Sequence, residues 1–114
     1  MFELDENKVR RLLAVRRVRE KHLGPGLFAD PAWDILLEAL ASELGKKVAS
    51  VSDLCNASAV PESAAQRWIR TLEMDGWLRR CAPPGEGRDS IELTSKGSVK
   101  LRLYFAAVAP GLLI

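Results

Sequence analysis

A mainly α fold carrying one small β-hairpin is what this 114-residue sequence predicts, on three observations. A capped apolar stripe marks a helix over 30–45. Two helical patterns within 52–75 are separated by a turn of about three residues. Alternating runs on either side of a Pro/Gly-rich loop make 77–93 a two-stranded hairpin. Helix, turn, helix and hairpin in that order describe a winged helix-turn-helix. Further helices are expected at 5–23 and 95–109, and the length suits one domain over 1–114.

The first helix opens on Asp5 as cap and carries Val9, Leu12, Leu13 and Val18 as an imperfect stripe before Gly24-Pro25-Gly26 breaks it. At the edge of a small domain it has little to pack on, so a second chain is expected to cover it. In the next helix Asp30 is the cap and Pro31 occupies the first turn, where its missing N–H costs nothing. Trp33, Leu36, Leu37, Leu40 and Leu44 form its buried stripe, and Asp34, Glu38 and Glu43 are expected to face away or flank it. Val48–Ser52 reads as an extended lead-in, with Ser52 capping a short helix.

Pro61 starts the following helix, which ends before Gly76, the residue expected just past a helix end. Helical spacing puts Ala65, Trp68, Ile69 and Leu72 on its buried face, and Ser63, Arg67, Arg70 and Met74 opposite, with Gln66 at the border. Guanidiniums, an amide and a hydroxyl are the groups that read base edges and phosphates. An ordinary solvated helix face carries the same residues, so the pattern alone leaves both readings open. Arg88 falls in the hairpin loop. Thr94 caps the last helix, whose Leu101, Leu103, Tyr104, Phe105 and Val108 wrap most of its circumference and call for cover from a second subunit.

Charge and reactive residues narrow the function classes. Seventeen Lys+Arg face 15 Asp+Glu, which permits nucleic-acid binding without demanding it. Seven basic residues lie between Lys8 and Lys21 against one acidic residue, whereas Asp30 to Glu43 holds four acidic and no basic ones. The basic run reads as a solvated helix face. Cys55 and Cys81 share no metal-ligand spacing and His22 is the lone histidine, so no metal site, cofactor or catalytic pair is expected. With no phosphate-binding or nucleophile motif, the sequence does not read as an enzyme. Leu103–Ile114 is broken by Pro110 and Gly111, short of the about 20 apolar residues of a membrane span. Met1–Asn7 lacks the apolar core of a signal peptide, and a cytoplasmic location is expected.

The run Val60–Leu78 resembles the recognition helix and following turn of MarR-type winged-helix transcriptional regulators, and Leu93-Thr94-Ser95-Lys96-Gly97 is similar to that family's strand-to-helix junction. Phe28–Leu37 looks like a subgroup of short MarR-like proteins. The resemblance implies a homodimer that binds a palindromic double-stranded DNA site. It assigns DNA contacts to Ser63, Ala64, Gln66, Arg67 and Arg70, and to Arg88 in the wing. It assigns dimerisation to the first and last helices, through Val9, Leu12, Leu101, Leu103, Tyr104, Phe105 and Val108. Glu86-Gly87-Arg88 departs from the Asp and Arg that usually brace the wing, and with one helix after the wing no small-molecule effector is inferred. The alternative is a winged helix that binds a partner protein, favoured by Glu62, Glu73 and Asp75 beside the recognition helix.

Overall fold

A computed structural model of the chain describes residues 3–24, 29–81 and 89–108. Its elements run α1 (Glu6–Leu23), α2 (Pro31–Leu44), β1 (Ala49–Ser50), α3 (Val51–Ser58), α4 (Glu62–Met74), β2 (Leu78–Cys81), β3 (Ser90–Leu93) and α5 (Ser95–Ala107). The α2 caps are as expected: the Asp30 carboxylate accepts from the Trp33 N–H and Pro31 fills the first turn. Asp5 caps α1 by accepting from the Lys8 N–H at 2.9 Å. Ile35, Leu37 and Leu40 of α2 are fully buried and meet Leu54, Ile69, Leu78 and Ile91 in one core.

Two expectations about the helix-turn-helix entrance change. Ser50, not Ser52, caps α3, because Asp53 sits three residues later and closes a reciprocal capping box with it. The extended lead-in is itself a strand: β1 pairs antiparallel with β3, Ala49 opposite Ile91, so the sheet has three strands in the order β1-β3-β2. In the hairpin, Leu78 lies opposite Leu93 and Cys81 opposite Ser90.

The largest correction concerns α1, which is not left without cover in its own chain. It lies along α2, burying Val9, with Leu12 and Leu13 packed on the core. Opposite charges fix the pair. Arg10 donates to both oxygens of Glu38 at 2.7 Å, Arg17 donates to Asp34 at 2.6 Å, and Arg16 also binds Asp34. Asp34, expected on the outer face of α2, is completely buried. Partial burial opposes the charge on Arg10, but the hydrogen bonds it donates to Glu38 and Glu6 outweigh it and hold its pKa above the usual value. Part of the basic run, Arg10, Arg16 and Arg17, thus forms one internal seam with Asp34 and Glu38 of the acidic helix.

The last helix is corrected in the same sense. Leu101 and Phe105 point into the core, with Phe105 stacked on Trp33 at 6.0 Å and Tyr104 edge-on to Trp33 at 5.5 Å. Val9, Leu101 and Phe105 are therefore already buried within the single chain. The outer side of α5 stays bare, with Leu103 65% and Tyr104 49% exposed. The helix ends at Ala107 with Val108 as its half-buried cap; Ala109 lies outside the described residues.

The Leu-Thr-x-x-Gly junction has a clear physical basis. The Thr94 hydroxyl accepts from the Gly97 N–H at 3.0 Å and donates to the Gly76 carbonyl at 2.6 Å, tying the end of β3 to the turn that enters β2. Gly76 itself has φ +82°, where a side chain is strained. A Cβ on Gly97 would lie 2.7 Å from the Trp77 carbonyl oxygen, too close for any rotamer change to relieve. Gly97→Ala should therefore destabilise the protein by roughly 1–3 kcal/mol, despite alanine's better helix propensity. Urea unfolding of the variant checks this, and an unchanged or raised midpoint would contradict it.

Candidate nucleic-acid interface

The helix-turn-helix is anchored from beneath. Leu54, Cys55 and Ser58 of α3 are buried, and the Ser58 hydroxyl donates to the Cys55 carbonyl at 2.6 Å. Burial pushes the Cys55 thiol above its ordinary pKa, in keeping with a packing residue and not a reactive one. Ala59 then takes a left-handed conformation at φ +60°, which reverses the chain so that Pro61 can enter α4. Ala65, Ile69 and Leu72 of α4 are buried against α2 and α3.

That seating turns the opposite face of α4 outward. Ser63, Arg67 and Arg70 are exposed, and neither guanidinium has a hydrogen-bond or ion-pair partner among the described residues. Ala64 is half-buried. Gln66 is exposed, but its amide donates to Glu62 at 3.3 Å. Met74 is 85% exposed. The sequence pattern placed Trp68 in the core; it is instead 42% exposed, because the core beneath α4 is filled by the narrower stripe of Ala65, Ile69 and Leu72.

The cations on the adjoining hairpin are engaged differently. Arg80 donates to both carboxylate oxygens of Glu73 at 3.0 Å, and Arg79 donates to Glu92 at 2.8 Å. Asp75 accepts from the Trp77 indole N–H at 3.1 Å. All three acidic groups expected to weaken the field of α4 are thus engaged: Asp75 accepts from Trp77 and Glu62 from Gln66, while Glu73 alone has its charge offset, by Arg80. Arg88, the wing residue expected to touch DNA, lies outside the described residues, as do residues 82–87.

Sequence reasoning missed the α1–α2 seam, although its signal was present as two blocks of opposite charge on consecutive helices. Glu6 belongs to the same seam. The hydrogen bond from Lys47 at 2.8 Å, reinforced by one from Arg10, lowers its pKa. With the basic run of α1 partly consumed there, the unpaired Arg67 and Arg70 stand out on α4. Among the described residues no group of three or more His, Cys, Asp or Glu could hold a metal, and no helix is long and apolar enough to cross a membrane.

No family model and no curated protein matches this chain. Solved structures do. A MarR family transcriptional regulator from Silicibacter pomeroyi superposes with a TM-score of 0.56 at 21% identity, over 90% of this chain and 76% of that one. BpsR of Bordetella bronchiseptica superposes with a TM-score of 0.50 at 17% identity, over 92% of this chain and 79% of its own; its structure describes regulation of its DNA binding by 6-hydroxynicotinic acid. At these identities the likeness is one of fold, and the fold is the MarR-like winged helix.

Proposed function

We propose that this protein is a sequence-specific, DNA-binding regulator of transcription that binds a palindromic site as a homodimer. One observation carries the reading: Arg67 and Arg70 stand exposed and unpaired on the outer face of α4, while the neighbouring Arg79 and Arg80 are held in ion pairs. A guanidinium without an internal partner is available to pair bidentately with a guanine edge or a phosphate. Similarity in fold to proteins described as transcriptional regulators supports the same reading. Val99, Leu103 and Tyr104, bare on α5, supply an apolar surface for the second subunit, with the half-buried Val108 at the end of the same helix. In such a dimer the two α4 helices would address half-sites about 34 Å apart.

Gel-shift titrations at several salt concentrations test the assignment. Arg67→Ala and Arg70→Ala should each weaken cognate binding by about 1–3 kcal/mol and reduce discrimination against random duplex. Arg88→Ala should weaken all sequences alike and flatten the salt dependence, the mark of a lost phosphate contact. The exposed Met74 favours a second reading, in which this face binds a partner protein. That reading takes over if all three variants bind cognate and random DNA as the parent does.

A further inference from the structure

Trp68 differs from the other two tryptophans. Trp33 stacks on Phe105, while Trp77 donates its indole N–H to Asp75 and lies under Lys100 at 5.4 Å. Trp68 has no ring, cation or hydrogen-bond partner among the described residues, and it is 42% exposed. A free indole on an exposed helix face combines an apolar ring with an unused donor.

Its place on the wheel gives it a role. At about 100° per residue, Ser63, Arg67, Arg70 and Met74 occupy the middle of the outward face of α4. Glu62, Gln66 and Glu73 form one flank; Ala64, Trp68 and Thr71 form the other. When a helix lies in the major groove its middle meets base edges and its flanks meet the sugar–phosphate walls. Glu62 and Glu73 populate the first flank; the carboxylate that follows the second, Asp75 at the C-cap, accepts from the Trp77 indole N–H. On the second flank Thr71 turns its hydroxyl back to the Arg67 carbonyl at 3.0 Å, and Ala64 has no polar atom. The side-chain donor left there is the Trp68 N–H.

We infer that Trp68 is a backbone-positioning residue for DNA: its indole N–H donates to a phosphate oxygen while its ring lies on the adjoining deoxyribose. The inference rests on the DNA-binding reading above. A neutral donor releases no counterion, so its loss has a signature unlike that of an arginine.

The test compares Trp68→Phe, Trp68→Ala and Arg67→Ala with the parent, on a duplex the parent enriches from a random-sequence pool and on an unenriched duplex. Trp68→Phe keeps the ring and removes the donor. It should lower affinity about five- to tenfold on both duplexes, with the salt slope and the melting temperature unchanged. Trp68→Ala should weaken binding further. Parent-like binding by both Trp68 variants, with Arg67→Ala weakened, overturns the inference and leaves the DNA reading standing. Parent-like binding by Trp68→Phe alone removes the phosphate contact, and a lowered melting temperature in that variant makes Trp68 a structural residue. If the parent enriches no duplex, the underlying DNA reading falls first.

Discussion

Replacing Asp34 with alanine is expected to lower folding stability by about 3–5 kcal/mol, the cost of breaking a buried ion pair from one side. Asp34 is fully buried and is the shared acceptor of Arg16 and Arg17, whose side chains are 12% and 34% exposed. Arg17 is already incompletely hydrogen-bonded. Its Nε and Nη1 are buried without a hydrogen bond, and the Glu20 carboxylate lies 3.8 Å from Nη1. Removing Asp34 takes the buried counter-charge from both guanidiniums and leaves Arg17 the more distant Glu20 carboxylate. Asp34→Asn should fall between parent and Asp34→Ala, since the amide still accepts but carries no charge. A triple change of Asp34→Leu, Arg16→Met and Arg17→Leu should recover most of the loss, because well-packed apolar side chains replace a buried ion cluster at little cost. Urea midpoints with an unchanged m-value decide the matter. A shift under about 1 kcal/mol for Asp34→Ala would show that the cluster contributes nothing net.

Phe105→Ala should cost about 3–5 kcal/mol through the cavity it leaves against Trp33. Leu103→Glu, two residues earlier on the same helix, should leave stability nearly unchanged. It should instead shift sedimentation toward monomer, by placing a charge in the apolar surface assigned to the second subunit. The pair separates two consequences that a uniformly apolar helix would merge. Equal loss of stability in both variants would mean that Leu103 is covered within its own chain, against its observed exposure.

Local signals accounted for much of the architecture. Asp30-Pro31 and the spacing of Leu36, Leu37 and Leu40 define α2 without reference to anything distant, and Gly76 ends α4 for a reason visible in the residue itself. The outward placement of Ser63, Arg67 and Arg70 followed from helical periodicity in the same way. What escaped depends on partners remote in sequence. Asp34 reads as a solvated carboxylate until Arg16 and Arg17 are known to lie over it, 18 and 17 residues away. The pairing of Ala49 with Ile91 spans the helix-turn-helix, so β1 reads from its own residues as an extended lead-in and not as part of a sheet. Trp68 is misplaced for the opposite reason: local helical spacing puts it on the buried face, although the narrower stripe of Ala65, Ile69 and Leu72 already fills the core beneath α4.

The side chains of Ser63, Arg67 and Arg70 carry no structural duty: none contributes a hydrogen bond or ion pair to the fold among the described residues. Ala65, Ile69 and Leu72 hold α4 in place from the other side. The same helix is therefore divided into a half that cannot be changed without unfolding and a half that can be rewritten freely. A library randomised at positions 63, 67 and 70 should yield folded proteins across its breadth, with stability scattered by only about 0.5 kcal/mol. On the DNA-binding reading proposed above, such a scaffold can be retargeted: new recognition preferences can arise by drift or by selection with no accompanying loss of the fold.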